Sequence, residues 1–142
     1  METVKFTVPG PPKGKARART VHGRGGQRFS YTPEGTVLYE NLIKTCYRQD
    51  VGTMIFNDGQ PLKVVIRAFY EVPKSTSKKK KQQMLEDQLY PTKKPDIDNI
   101  AKCILDALNK LAYRDDTQVV TLRMEKHYSE IPRVEVEIEE IT

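Results

Sequence analysis

Two cysteines in 142 residues are too few to staple a fold. Cys46 and Cys103 lie in apolar-periodic stretches and show neither CxxC nor Cys/His spacing, so they read as buried, reduced thiols rather than a zinc site or a redox pair. No apolar run approaches the ~20 residues needed to cross a bilayer. The opening "METVKFTVPG" alternates where a secretory signal would carry a continuous apolar block. These absences point to a soluble, cytoplasmic protein. There is no internal repeat, no linker long enough to divide domains and no low-complexity tract beyond one lysine run. A chain of this length buries about two thirds of its unfolded surface without help, and one domain spanning 1–142 is expected.

Acidic residues are scarce at one end of the chain. From Met1 to Thr32 only Glu2 opposes Lys5, Lys13, Lys15, Arg17, Arg19, Arg24 and Arg28, although the whole chain carries a formal charge of only +5. A local surplus of this kind suits an anionic partner such as nucleic acid. The balance reverses from Arg133 to Thr142, where Glu135, Glu137, Glu139 and Glu140 face a single arginine. That strand face is unsuited to a polyanion.

Hydrophobic periodicity supplies the elements. "TVKFTV" alternates and stops at "PGPP", which reads as a first strand. The Gly/Arg-rich segment "KGKARARTVHGRGGQRF" is a loop or hairpin with too few apolar residues to pack alone. "YTPEGTVLYENLIKTCYRQ" predicts a helix with Thr32 as N-cap, Pro33 at the first helical position, and Val37, Leu38, Leu42 and Cys46 as its apolar stripe. "PLKVVIRAFYEV" is a well-buried strand, and "STSKKKKQQMLEDQLY" a short exposed helix whose lysines 78–81 read as a solvated end. In "DNIAKCILDALNKLAY", Ile100, Ile104, Leu105, Leu108 and Leu111 form the clearest helical stripe, opened by Asp96 or Asp98. "TQVVTLRMEKHY" and "RVEVEIEEI", separated by "SEIP", predict a hairpin. The expected fold is α+β, a mixed β-sheet with helices packed on it, in the order β-α-β-(α)-α-β-β.

"KKPDIDNIAKCILDAL" places two aspartates one residue apart before that helix. Capping needs only one. Asp115 and Asp116 in "YRDDTQV" read alone as a turn. A helix that returns through a short loop into a strand can instead bring a third carboxylate beside Asp96 and Asp98, and three hard oxygen ligands suit Mg²⁺ or Mn²⁺. Lys102, four residues after Asp98 and four before Asp106, has two readings: a pair of surface salt bridges, or an ammonium that binds the scissile phosphate and stabilises developing charge.

These residues carry a resemblance. "KPDIDNIAKCILDALNKLAYRDDTQVV" resembles the signature of the RusA family of Holliday junction resolvases, an Asp-x-Asp-Asn-x-x-Lys segment that opens a helix continuing to Asp-Ala-Leu and an Asp-Asp-x-Gln-Val turn. "VPGPPKGKARAR" and "YTPEGTVLYENLI" are similar to the stretches that open that family. The resemblance implies a homodimeric α+β endonuclease that cuts four-way DNA junctions by paired symmetrical nicks with Mg²⁺ or Mn²⁺, in recombination and repair. It matches Asp96, Asp98 and Asp116 to the family's essential acids and Lys102 to its essential lysine, with Asp115 supporting. Choosing Asp116 over Asp115 rests on anchoring to "TQV".

If "KGKARAR" is extended, Lys13, Lys15, Arg17 and Arg19 fall on one side and suit the DNA backbone. The seven tyrosines are scattered among the elements and read as core. His22 and His127 have no ligand-like partners in the sequence. The competing reading is a non-catalytic DNA-binding protein, with the acids as a cap, a turn and helix salt bridges.

Overall fold

The computed structural model describes residues 2–142, and of Arg19 it describes the backbone alone. Strand β1 (Thr3–Pro9) precedes a two-stranded ribbon, β2 (Arg19–His22) and β3 (Arg28–Tyr31). Helix α1 (Glu34–Asp50), strand β4 (Leu62–Glu71), helices α2 (Lys78–Leu85) and α3 (Ile97–Leu108), and strands β5 (Val119–Ser129) and β6 (Arg133–Glu140) follow, with a 3-10 turn at Asp116–Gln118. The main sheet runs β1-β6-β4-β5. Only β4 and β5 pair in parallel; the other neighbours are antiparallel. This is the mixed-sheet α+β fold expected.

The hairpin expected from β5 and β6 does not form: β4 lies between them, antiparallel to β6 and parallel to β5. The short "SEIP" connection is long enough to step across one strand, since neighbouring strands lie only about 4.8 Å apart. Composition decides which strand takes the centre. Leu62, Val64, Val65, Ile66, Ala68 and Tyr70 of β4 are all buried, and a strand apolar on both faces gains most from neighbours on both edges.

One sheet face carries Val4, Phe6 and Val8, Val134, Val136 and Ile138, and alternate residues of β4, and it packs against α1 and α3. Helix α1 begins at Glu34, with Pro33 in the cap position and no side-chain cap bond, so Thr32 does not serve as N-cap. Its core stripe also differs from the one expected. Thr36, Tyr39, Ile43, Cys46 and Tyr47 are buried, whereas Val37, Leu38 and Leu42 face outward. The rings of Tyr39 and Tyr47 pack into the core; the Tyr47 hydroxyl donates to the carbonyl of Met54 at 2.6 Å, whereas the buried Tyr39 hydroxyl finds no acceptor among the described residues. Both cysteines are free and buried. Four tyrosines enter the core, but Tyr31 and Tyr90 are exposed.

On the opposite face, His127 bridges two carboxylates, Asp87 through Nδ1 and Glu125 through Nε2, each at 2.9 Å. Its ring stacks on Phe69, and Arg133 covers that ring at 4.0 Å. Asp87 adopts a positive φ of 58°, a conformation asparagine and aspartate tolerate best among larger residues, and its ion pair ties the segment after α2 to β5. Burial alone would lower the His127 pKa, but hydrogen bonds and charges from Glu125 and Asp87 outweigh it and raise the value above the ordinary 6.5. The bond from His127 in turn holds Glu125 below its ordinary 4.5, with Arg123 assisting against the desolvation.

Stability from the histidine is therefore complete below pH 6.5 and fades as pH rises past the raised value, while the Glu125 share is present above pH 4.5 and is lost in acid. Thermal melts of the parent and His127→Gln should differ most between about pH 5 and 6 and converge toward pH 9. An equal gap at both pH values would show that the ion pairs contribute nothing.

Candidate nuclease site at the two ends of α3

Helix α3 is fixed by its apolar side. Ile100, Cys103, Ile104, Ala107 and Leu108 are fully buried, which leaves Asp98, Lys102 and Asp106, spaced by four, on the outward side. Asp96 occupies the N-cap position, yet its side chain makes no capping bond. Asp98 lies in the first turn and is exposed, with no hydrogen-bond partner among the described residues. Two carboxylates at the positive end of a helix, with neither engaged in a cap, exceed what the local backbone requires. Lys102 is likewise exposed and has no ion pair among the described residues, so of its two readings the i,i+4 bridges to Asp98 and Asp106 are not made.

Asp106 is engaged elsewhere. The loop from Pro11 to Ala16 lies across the first turns of α3 and the start of α1, with the Lys15 amide donating to the Asn99 carbonyl at 3.0 Å and the Ala16 amide to Thr36 Oγ1 at 3.1 Å. Lys15 Nζ then reaches Asp106 at 2.9 Å and Glu40 at 3.3 Å. Partial burial works against the ammonium, but the Asp106 bond and both negative charges raise its pKa overall. Gly14 permits this closeness: a Cβ there would meet Asn99 Cβ at 2.9 Å and Pro95 Cβ at 3.1 Å. Of the four basic residues expected on the DNA side, Lys15 is therefore turned inward, Lys13 and Arg17 are exposed, and the Arg19 side chain lies outside the described residues.

Beside Asp96 this loop closes a cleft of about 580 Å³ whose lining includes Lys13, Gly14, Lys15, Lys94, Asp96 and Asn99. A second cleft of about 360 Å³ shares Pro12, Lys94 and Pro95 with it and adds Lys74, Lys93, Tyr70 and Glu71. The Tyr70 hydroxyl donates to the Pro95 carbonyl at 2.8 Å, and burial, reinforced by the Asp96 charge, pushes its pKa to about 12. Lys126 donates to the Lys93 carbonyl at 2.7 Å. Asp96 thus lines a cleft rich in lysine, and Asp98 follows it two residues on in the first turn of α3.

Asp116 is at the other end of α3. Its amide donates to Asn109 Oδ1 at 2.8 Å, which places it roughly 16 Å along the helix axis from the turn carrying Asp98, at the rise per residue of an α-helix. Among the described residues no three carboxylate, histidine or cysteine side chains gather closely enough to hold a metal ion. The convergence expected from a short return loop is not seen among the described residues, where Asp116 is tied to Asn109 at the C-terminal end of α3.

Asp115 and Asp116 divide their roles. Asp115 caps the 3-10 turn, accepting from the Thr117 amide, while the Gln118 side chain returns to the Asp115 amide at 3.2 Å. Asp115 thus does what the turn reading expects. A hydrogen bond with Asp116 is the main cause of its lowered pKa, whereas Asp116 is raised by desolvation first and by Asp115 next. Buried Gln118 also donates to the carbonyls of Asn57 and Gln60 at 2.9 and 3.2 Å, fixing the acidic turn to the loop before β4.

Unengaged carboxylates, an unpaired ammonium and a cleft bearing lysines are group types that suit a hard cation and a polyanion respectively. The chain belongs to the RusA endodeoxyribonuclease family: the family's sequence model matches residues 9–139. It is 39% identical over 150 residues to the uncharacterized protein YqaN of Bacillus subtilis (strain 168), covering 100% of this chain and 99% of that one. It is also 30% identical over 133 residues to the crossover junction endodeoxyribonuclease rusA of Lactococcus phage r1t, covering 93% of this chain and 86% of the phage protein.

Sequence reasoning missed Lys74, Lys93 and Lys94 as cleft residues. Lys93 and Lys94 sit directly before Pro95 in the motif itself, a signal that was available. The inward turn of Lys15 had none, since its partners are 25 and 91 residues away.

Lys15→Ala should cost on the order of 1–2 kcal/mol of stability, the range for a charge-assisted hydrogen bond that leaves its carboxylates unpaired. It should leave the salt dependence of DNA binding nearly intact. Lys13→Ala with Arg17→Ala should do the reverse, with a reduced slope of log K against log salt and an unchanged melting temperature. Equal slope losses for the two variants would show that Lys15 faces the backbone after all.

Proposed function

We propose that this protein is a Mg²⁺-dependent DNA endonuclease, with Mn²⁺ able to substitute, that resolves four-way junctions by paired symmetrical nicks in DNA recombination and repair. It acts as a homodimer in the cytoplasm. Membership of the RusA family and the name of the phage relative support the substrate class. The observation that carries the reading is the state of α3's first turn, where Asp96 and Asp98 are spared from capping beside an unpaired Lys102.

The donor chemistry suits a hard divalent cation, but one chain supplies only part of a set. Asp96 and Asp98 would hold the ion at one end of α3 and Asp116 at the other. A bound cation would lower the pKa of an attacking water and offset charge at phosphorus. The chain's own groups do the rest: Lys13, Lys93 and Lys94 attract the backbone to the cleft, and Lys102 stands where charge builds on the phosphate.

A second copy completes the set. Strand β5 is an edge, and Val120 and Leu122 on it are 63% and 43% exposed. Such an edge is a template for pairing. Two β5 edges paired antiparallel about a two-fold axis put the start of one strand, with Asp116, beside the end of the other, where the partner subunit's segment from Lys93 to Asp98 lies. Two like sites then face one junction, as nicking two strands requires.

Complementation tests this. Asp98→Asn and Asp116→Asn should each fold, bind a labelled four-way junction and nick it poorly with Mg²⁺. After subunit exchange in a mixture, nicking should return, because each heterodimer holds one site with both carboxylates intact. The product should be a singly nicked junction, not resolved duplexes. If all ligands came from one chain, every site would keep one substitution and the mixture would stay inactive. Full activity of either variant alone would remove its carboxylate from the site.

A further inference from the structure

The ribbon of β2 and β3 is left unexplained by the site at α3. Its strands pair only with each other, apart from the main sheet, so no core supports them. Val21 lies directly opposite Phe29, and Tyr31, two residues on, shares that face. The three are 46%, 53% and 47% exposed. The other face is polar, with Thr20 against Ser30 at 3.4 Å and His22 opposite Arg28. The ribbon therefore presents one aromatic face that no other element covers among the described residues.

The Phe29 ring is held in place. A Cβ at Gly23 would sit 2.7 Å from its edge, so the ring lies against bare backbone, and the Gly23 amide closes the ribbon on the Gln27 carbonyl at 2.7 Å. The ribbon's root is fixed as well. The amide of Ala16, just before β2, is bonded to Thr36, just after β3, and the preceding loop lines the cleft beside Asp96. Four residues per strand give a reach of about 14 Å from that root.

Charge identifies what covers the face. Between Glu2 and Glu34 there is no acidic residue, while Arg17, Arg24 and Arg28 flank the aromatic face or its turn. A protein partner would have no need of such depletion, and a polyanion does. Two of the three apolar positions are aromatic, and aromatic rings stack on bases of any sequence once those bases leave the duplex stack. Bases do so where duplex arms diverge.

We infer that Phe29 and Tyr31 form a stacking platform for bases unstacked at the branch point of DNA, with the ribbon's arginines on the adjoining phosphates. The platform would make the protein recognise a branch rather than a duplex. This rests on the junction-directed reading above.

The chain contains no tryptophan, so Phe29→Trp installs a sole indole reporter. Without divalent metal, a four-way junction should quench its emission and an equal length of linear duplex should not, and the variant should keep parental affinity. Phe29→Ala should bind the junction on the order of tenfold more weakly with duplex affinity unchanged. Unquenched indole at saturating junction, or parental affinity in Phe29→Ala, would overturn the inference. So would conversion of Phe29→Ala to a monomer in light scattering, since the face would then be a subunit contact. If the parent itself binds junctions no better than duplex, the functional reading falls too; parental selectivity with indifferent Phe29 variants sinks the platform alone.

Discussion

The burial of α3 is the constraint on which the rest of the molecule depends. Five of its twelve residues, Ile100, Cys103, Ile104, Ala107 and Leu108, are fully enclosed between the sheet and α1. Each large apolar side chain among them contributes about 1.5–3 kcal/mol by leaving water. Turning the helix by one residue's angle would forfeit several kcal/mol, more than an exposed carboxylate gains from any surface partner. The outward positions of Asp98 and Lys102 are thus set by the core, and so is the distance from Asp98 to Asp116. A metal ion binding at one end cannot draw the helix around to complete its shell.

Charge is partitioned by the same packing. Lys15, held down by its own amide and by the absence of a side chain at Gly14, lies between Asp106 and Glu40. It removes from play the acids that would otherwise extend the negative stripe along α3. The uncompensated carboxylates on that helix are then Asp96 and Asp98 at its positive end, and Asp96 shares a cleft with Lys13 and Lys94. Glu135, Glu137 and Glu139 of β6 alternate with its core residues and so face the opposite side of the sheet, where Arg133 holds Glu135 at 2.9 Å. A basic protein can therefore present a small acidic centre to DNA without its other acids repelling the backbone.

Much of this was legible in the sequence. The alternation of β1, β4, β5 and β6 and the stripe of α3 name their own elements, because period and burial agree there. The motif around Asp96 and Asp98 is local and reads directly. What escaped was non-local or balanced. In α1 two apolar stripes compete, and the choice of Tyr39, Ile43 and Tyr47 over Val37, Leu38 and Leu42 depends on what faces the helix, which α1's own periodicity does not encode. The insertion of β4 between β5 and β6 reflects which strand is apolar on both faces, a comparison across the sheet that a short loop conceals. The gap between Asp98 and Asp116 escaped for a related reason: sequence spacing suggested a return, but a rigid helix converts residues into distance.

Two independent features of this chain ask for the same complement. The length of α3 divides the acidic set between two ends, and the edge of β5 exposes Val120 and Leu122 with an unpaired backbone. Edge strands are ordinarily blunted by charge, bulges or cover; here the pairing with β4 slips by one residue at Val120, yet the apolar side chains of Val120 and Leu122 still face solvent. Either feature alone would be a defect, one a broken metal site and the other an aggregation hazard. The two-fold partner proposed above would remove both at once, because antiparallel pairing would reverse the strand and so exchange the ends of α3. On that arrangement cleavage and assembly become one equilibrium: an isolated chain has nothing with which to cut, and stray nicking by monomers is avoided through the same helix length that makes one chain insufficient.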